Sequence, residues 1–146
     1  MASRTSAAYP KSRALPPPPP DLTVRQVRER LSGAAIRGFF NIMARWQVRD
    51  EDARGLLGGM TNGPYYELKR HPGRTLDVDR LTRISLLVGI FKALQILHSA
   101  ELADRWVHMP NSGAVFNGTT PLDYLLRGGV PALVTVRRLL DARRAG

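Results

Sequence analysis

An all-α fold, a helical bundle with an N-terminal helix-turn-helix-like part and a C-terminal helical part, follows from three features of this 146-residue sequence. Apolar residues recur three and four apart along most of the chain. Alternation of β-branched residues at a period of two is nearly absent. Pro, Gly, Ser, Thr and Asp fall where helices would begin and end. The length suits one domain with a tail and is enough to bury a core.

Residues 1–21 read as a small, basic, Pro-rich tail without the apolar centre of a signal peptide. The run Pro16–Pro20 favours a stiff polyproline II spacer, with an SH3-type ligand as the lesser alternative. The tail offers few groups to bury against its ordering entropy, so it is expected to be mobile and dispensable for the fold. Leu22, Val24, Val27 and Leu31, interleaved with Arg25, Arg28 and Arg30, predict a short basic helix that Ser32 and Gly33 weaken. A second helix, Ala34 to Gln47, sets Ile36, Phe39, Phe40, Met43 and Trp46 on one inward stripe.

Asp50, Glu51 and Asp52 crowd the start of a helix to Leu57, where they complement the partial positive charge of its N-terminus. Neighbouring carboxylates on one turn diverge, so this trio is not a metal site. Gly58 and Gly59 end the helix. Thr61 or Asn62 caps the next one, with Pro64 in its first turn and a body from Tyr65 to His71. Two short helices around a Gly-containing turn outline a helix-turn-helix. In that reading Thr61, Asn62, Tyr65 and Tyr66 reach base edges or phosphates, while Lys69 and Arg70 grip the backbone of an operator.

His71-Pro72-Gly73 stops that helix, and Asp77 opens the longest one, Val78 to Leu97. Leu81, Ile84, Val88 and Phe91 occupy one side of it and Leu87, Ile90, Leu94 and Leu97 the other. Only an eight-residue stretch, Ile84 to Phe91, separates Arg83 from Lys92, against the roughly 20 apolar residues a membrane span needs. This is a buried central helix with one face offered to a homodimer. Glu101 to His108 forms the next helix, stopped by Pro110. A polar loop with Asn111, Ser112, Gly113, Asn117 and Gly118 leads to a short helix opened by Thr119 or Thr120 with Pro121 in its first turn. After Gly128 and Gly129 a last amphipathic helix, Val130 to Arg144, puts Leu133, Val136 and Leu140 on one face.

The chain has no cysteine, which leaves neither a disulfide framework nor a thiolate metal site and points to the cytoplasm. Asp104 and His108 lie one turn apart and could pair, but His71, His98 and His108 are too scattered for a metal or catalytic constellation. No nucleophile with a base and no phosphate-binding loop appears, so an enzyme, a metal and a cofactor are not expected. The formal net charge is +10. Residues 1–75 hold 13 Lys/Arg against 6 Asp/Glu and the remainder 9 against 6, so the excess sits where a nucleic-acid-binding unit would lie. Arg4, Lys11 and Arg13 of the tail would add non-specific attraction.

Trp106, Pro110, Asn111, Phe116, Gly118, Thr120, Pro121, Leu122, Asp123, Leu125 and Gly128 together resemble the toxin-binding domain of the Xre/MbcA/ParS antitoxins. The closing RRLLDARRAG is similar to the same proteins, and RISLLVGIFKAL at Arg83 to Leu94 resembles their central helix. The resemblance spans roughly residues 33–146. It implies an antitoxin that caps a RES-domain, NAD-consuming toxin and helps repress its own operon, with a helix-turn-helix region at 22–75 and the central helix and toxin-binding domain at 76–146. It further implies toxin contacts by Trp106, Phe116, Asn117, Thr120, Arg137, Arg138, Leu140, Arg143 and Arg144, the last turn covering the NAD pocket. The alternative is a helix-turn-helix regulator without an inhibitory role.

Overall fold

The computed structural model describes residues 17–146, and the tail before Pro17, with Arg4, Lys11 and Arg13, lies outside the described residues. Among those described, the chain is all helix and loop: α1 (Arg25–Arg45), α2 (Asp50–Leu56), α3 (Asn62–Arg70), α4 (Val78–Leu97), α5 (Ala100–Arg105), a 3-10 turn (Trp106–His108) and α6 (Pro121–Ala145). The all-α bundle expected from the sequence is what forms.

α1 corrects one expectation. Ser32 and Gly33 do not divide it; a single helix of 21 residues runs through them. Ser32 is 1% exposed. Its hydroxyl donates to the Arg28 carbonyl at 2.6 Å, the usual way a helical serine satisfies itself. The same oxygen accepts the Leu76 backbone N–H at 2.9 Å. What reads in sequence as a weak spot is the seam where α1 meets the chain entering α4. Further along, Ile36, Phe39, Met43 and Trp46 are buried as the stripe requires, with Phe40 packed against the core.

The chain leaves α1 through Gln47 in the left-handed region (φ 52) and leaves α2 through Gly58 and Gly59 (φ 92 and 86). The Gly59 N–H returns to the Arg54 carbonyl at 2.9 Å, closing the helix end. α4 opens on Asp77, whose carboxylate accepts the Arg80 N–H at 2.8 Å. Leu81, Ile84, Leu87, Ile90, Ala93 and Leu94 are buried along it, because α4 packs against both α1 and α6. One core cluster runs from Ile36 to Leu140.

The expected helix Glu101 to His108 is instead α5, capped by Ser99, followed directly by the tighter 3-10 turn. Asp104 and His108 do not pair with each other. Asp104 accepts Arg45 Nε at 2.9 Å and Gln95 Nε2 at 3.0 Å, and His108 Nε2 meets the Trp46 carbonyl. α6 is capped by Thr120, which accepts the Asp123 N–H at 3.1 Å. It breaks at Gly129 (φ 63, ψ −146), a conformation that favours glycine. Pro131 follows the break, where its missing N–H leaves no helical bond unmade. No helix of the described residues is long and apolar enough to cross a membrane.

Candidate functional site

The C-terminal platform is built on a ladder of rings. Trp106 and Phe116 meet edge to face at 5.6 Å, and Phe116 and Tyr124 do so at 5.4 Å. The loop between them bonds to itself: Asn111 N–H to the Thr119 carbonyl, Gly118 N–H to the Asn111 carbonyl, and the Gly113 N–H to Asn111 Oδ1. Asn117 and Gly118 both take positive φ to make the corner. Leu122 and Leu125 are buried beneath it.

The second half of α6 lies on this platform and on α4. Ala132, Leu133, Val136 and Leu140 are at most 3% exposed, each larger side chain contributing about 1.5–3 kcal/mol by burial. Every residue after Leu140 is half-buried or exposed. The four arginines expected together at the tip separate into two kinds. Arg137 lies across α4, where a Cβ on Gly89 would stand 1.7 Å from its Nη1. Its Nε donates to Asp141 at 3.0 Å, and Arg144 meets the other Asp141 oxygen at 3.7 Å. Arg138 and Arg143 are exposed and have no carboxylate within ion-pair reach among the described residues.

Of the residues the resemblance assigns to toxin contact, Trp106, Phe116 and Leu140 are core, 7%, 2% and 0% exposed. Thr120 is a helix cap. Asn117, Arg138, Arg143 and Arg144 are exposed on the surface. Gly89 and Asp141 were not singled out from the sequence. A lone glycine inside an apolar helix was the available signal for the first, and an acid four residues after Arg137 for the second.

The α2–α3 pair carries its own surprise. Asp50, read as a charge complementing the start of α2, accepts three side chains from α3: the Tyr65 hydroxyl at 2.7 Å, the Tyr66 hydroxyl at 3.0 Å and Lys69 Nζ at 3.2 Å. Lys69 also lies 5.8 Å from the centre of the Phe40 ring. These donors, the Tyr65 hydroxyl first, hold the Asp50 carboxyl below its usual range. Tyr65 is 1% exposed, and burial, then its bond to Asp50, pushes its hydroxyl well above the ordinary tyrosine range. Tyr66, on the surface, is raised chiefly by its bond to Asp50. Thr61, Asn62 and Arg70 remain exposed, Arg70 pairing with Glu67 at 3.1 Å. No group of three or more potential metal ligands occurs among the described residues.

Comparison with known proteins joins these features. The antitoxin Xre/MbcA/ParS C-terminal toxin-binding domain matches residues 92–146, from the end of α4 through the ring ladder to the last turn of α6. The uncharacterized protein y4oB of Sinorhizobium fredii (strain NBRC 101917 / NGR234) is 38% identical over 114 residues, covering 77% of this chain and 86% of that one. No solved structure matches the chain. A self-bonded loop on a ring ladder, an anchored α6 and a match over the whole of that region lead to one conclusion: the chain belongs to the Xre/MbcA/ParS antitoxin family.

Proposed function

We propose that this antitoxin neutralises a RES-domain, NAD-consuming toxin by laying the last turn of α6 over the toxin's NAD pocket. We infer that it also represses its own operon through α2 and α3, acting as a cytoplasmic homodimer. In this reading residues 22–75 serve the operator and residues 76–146 the toxin. The observation that carries the inhibitory part is the abrupt change at Leu140. The side chain is fully buried there, and beyond it only polar or small residues follow, with Arg143 and Arg144 exposed. Guanidinium forks on a free helix end suit carboxylates, or a cleft shaped for phosphates.

The operator part is supported by the short helix pair with its tight turn, and by the open start of α3, where Thr61 makes no side-chain cap. Asn62 and, once it leaves Glu67, Arg70 are the exposed α3 residues that can meet DNA, whereas Tyr65, Tyr66 and Lys69 are held by Asp50. Co-expression with a RES-domain toxin tests the inhibitory part, with cellular NAD as the readout. Preserved NAD with the full chain is expected, and NAD loss despite a formed complex would refute it.

A further inference from the structure

Nine of the nineteen Lys and Arg side chains among the described residues are already answered by a carboxylate. Arg45, Arg49, Lys69, Arg70, Arg80, Arg83 and Arg137 each have one within 3.3 Å. Arg37 and Arg74 are exposed and have none within ion-pair reach among the described residues. The sixteen residues before Pro17 contain no acidic side chain to supply one. A Cβ on Gly33 would stand 3.3 Å from Arg37 Nη1 and 3.8 Å from the Pro72 carbonyl, so the Arg37 guanidinium sits beside the loop that carries Arg74. Arg74 in turn lines, with Arg70, Glu67, Pro64 and Gly63, an open groove of about 500 Å³ along α3. Arg30 lies two turns before Arg37 on the same exposed stripe of α1. Glu67 is the one acid in the groove, and it is shared by Arg70 and His71.

From this arrangement we propose that Arg37, Arg70 and Arg74 form a wall that grips the phosphate backbone of a DNA duplex, with Arg30 extending it. The proposal rests on the operator-binding reading and relocates its electrostatic part from the outer face of α3 to the side where α1 and the 71–75 loop meet. Phosphates favour DNA over an acidic protein because Arg70 and Arg74 line an open groove and Arg37 lies beside the loop that carries Arg74, an extended basic surface on which a polyanionic strand displaces its counterions. A cation already paired with a carboxylate, as Lys69 is with Asp50 and Arg70 with Glu67, releases less when DNA arrives, so the salt-dependent part falls to Arg37 and Arg74. An unpaired one releases the full share.

The test uses the full chain and fluorescently labelled duplexes from the region upstream of its own gene, titrated between about 50 and 200 mM salt. Each phosphate contact contributes about 0.9 to the slope of log K against log salt. The double variant R37Q/R74Q is therefore expected to flatten the slope by about 1.8. The charge-matched double variant R138Q/R143Q, on the last turns of α6, is expected to leave it unchanged, and R37K/R74K to restore most of it. Unchanged slope in R37Q/R74Q with the duplex still bound would overturn the wall while leaving operator binding in place. No salt-dependent binding by the unmodified chain would overturn both. Weakened toxin association in R37Q/R74Q with an unchanged slope would assign the surface to a protein partner and overturn the proposal. If the double variant does not fold, R74Q alone carries the test, with an expected flattening of about 0.9.

Discussion

The guanidinium of Arg137 occupies the space that a side chain at Gly89 would fill, so that α6 is registered against α4 by a missing side chain and a long one. The atoms in the way are the far end of a flexible residue, which can swing aside. Gly89→Ala is therefore expected to cost little: a better helix former gains up to about 1 kcal/mol and offsets the displaced Arg137. Gly89→Leu leaves no such escape and should destabilise by about 1–3 kcal/mol. Adding Arg137→Ala should recover part of that loss, a non-additivity that denaturant unfolding of the single and double variants measures.

Why the periodicity was readable and this contact was not is a matter of range. Helix starts at Asp77 and Thr120 and the break at Gly129 depend on bonds within a few residues, so their signals lie beside them in the sequence. The stripe Ile36–Phe39–Met43–Trp46 and the anchors Leu133–Val136–Leu140 follow from helix geometry alone. Gly89 and Arg137, Asp50 and Tyr65, and Ser32 and Leu76 meet only because separate helices pack against one another. The same gap explains the site. The surface of α3 looked basic and aromatic in sequence, but nothing local revealed that Asp50 would absorb Tyr65, Tyr66 and Lys69, or that Arg37 would stand beside the loop of Arg74.

Ser32 gives a second test of such a long-range bond. Ser32→Ala removes the acceptor of the Leu76 N–H in a buried place, and an unsatisfied buried donor costs about 1–3 kcal/mol. Helix propensity alone would make alanine the better residue here. A net loss of stability on chemical denaturation, with faster hydrogen exchange at the Leu76 amide, is the expected outcome. A gain would show that water replaces the hydroxyl.

Asp50 makes stability depend on acidity. Its folded-state pKa is depressed, so its contribution is fully present above the unfolded carboxylate value, about 3.9. It is lost as pH falls through the lower folded value. Asp50→Asn should therefore be less stable than the parent at neutral pH. The difference should shrink steadily below about pH 4. Because the carboxylate is 43% exposed, water softens the loss, and about 1 kcal/mol at neutral pH is expected, at the low end for a bond to a charged group. Parallel unfolding curves for both proteins across that range check it, and a difference independent of pH would remove the charge from the explanation.

On the plug proposal, the end of α6 separates holding a toxin from silencing it. Leu140 is the last buried side chain, so a chain ending there keeps Leu133, Val136 and Leu140 on α4 and keeps the ring ladder of Trp106, Phe116 and Tyr124 beneath the loop. It loses Asp141, and with it the acceptor shared by Arg137 and Arg144. Arg137 still has its berth over Gly89, so the helix direction should survive. The bland account of the terminal arginines is that they complement the negative end of the helix, an effect of about 0.3–1 kcal/mol. That account predicts a small drop in melting temperature and unchanged protection. The plug account predicts a folded chain that still co-purifies with its RES-domain toxin but leaves NAD to be consumed. Arg143→Ala with Arg144→Ala in the full-length chain distinguishes charge from length, because it keeps the last turn and removes its forks. Full protection by the shortened chain at equal abundance would rule out the plug, and inhibition would then have to come from the assembly that the platform holds together.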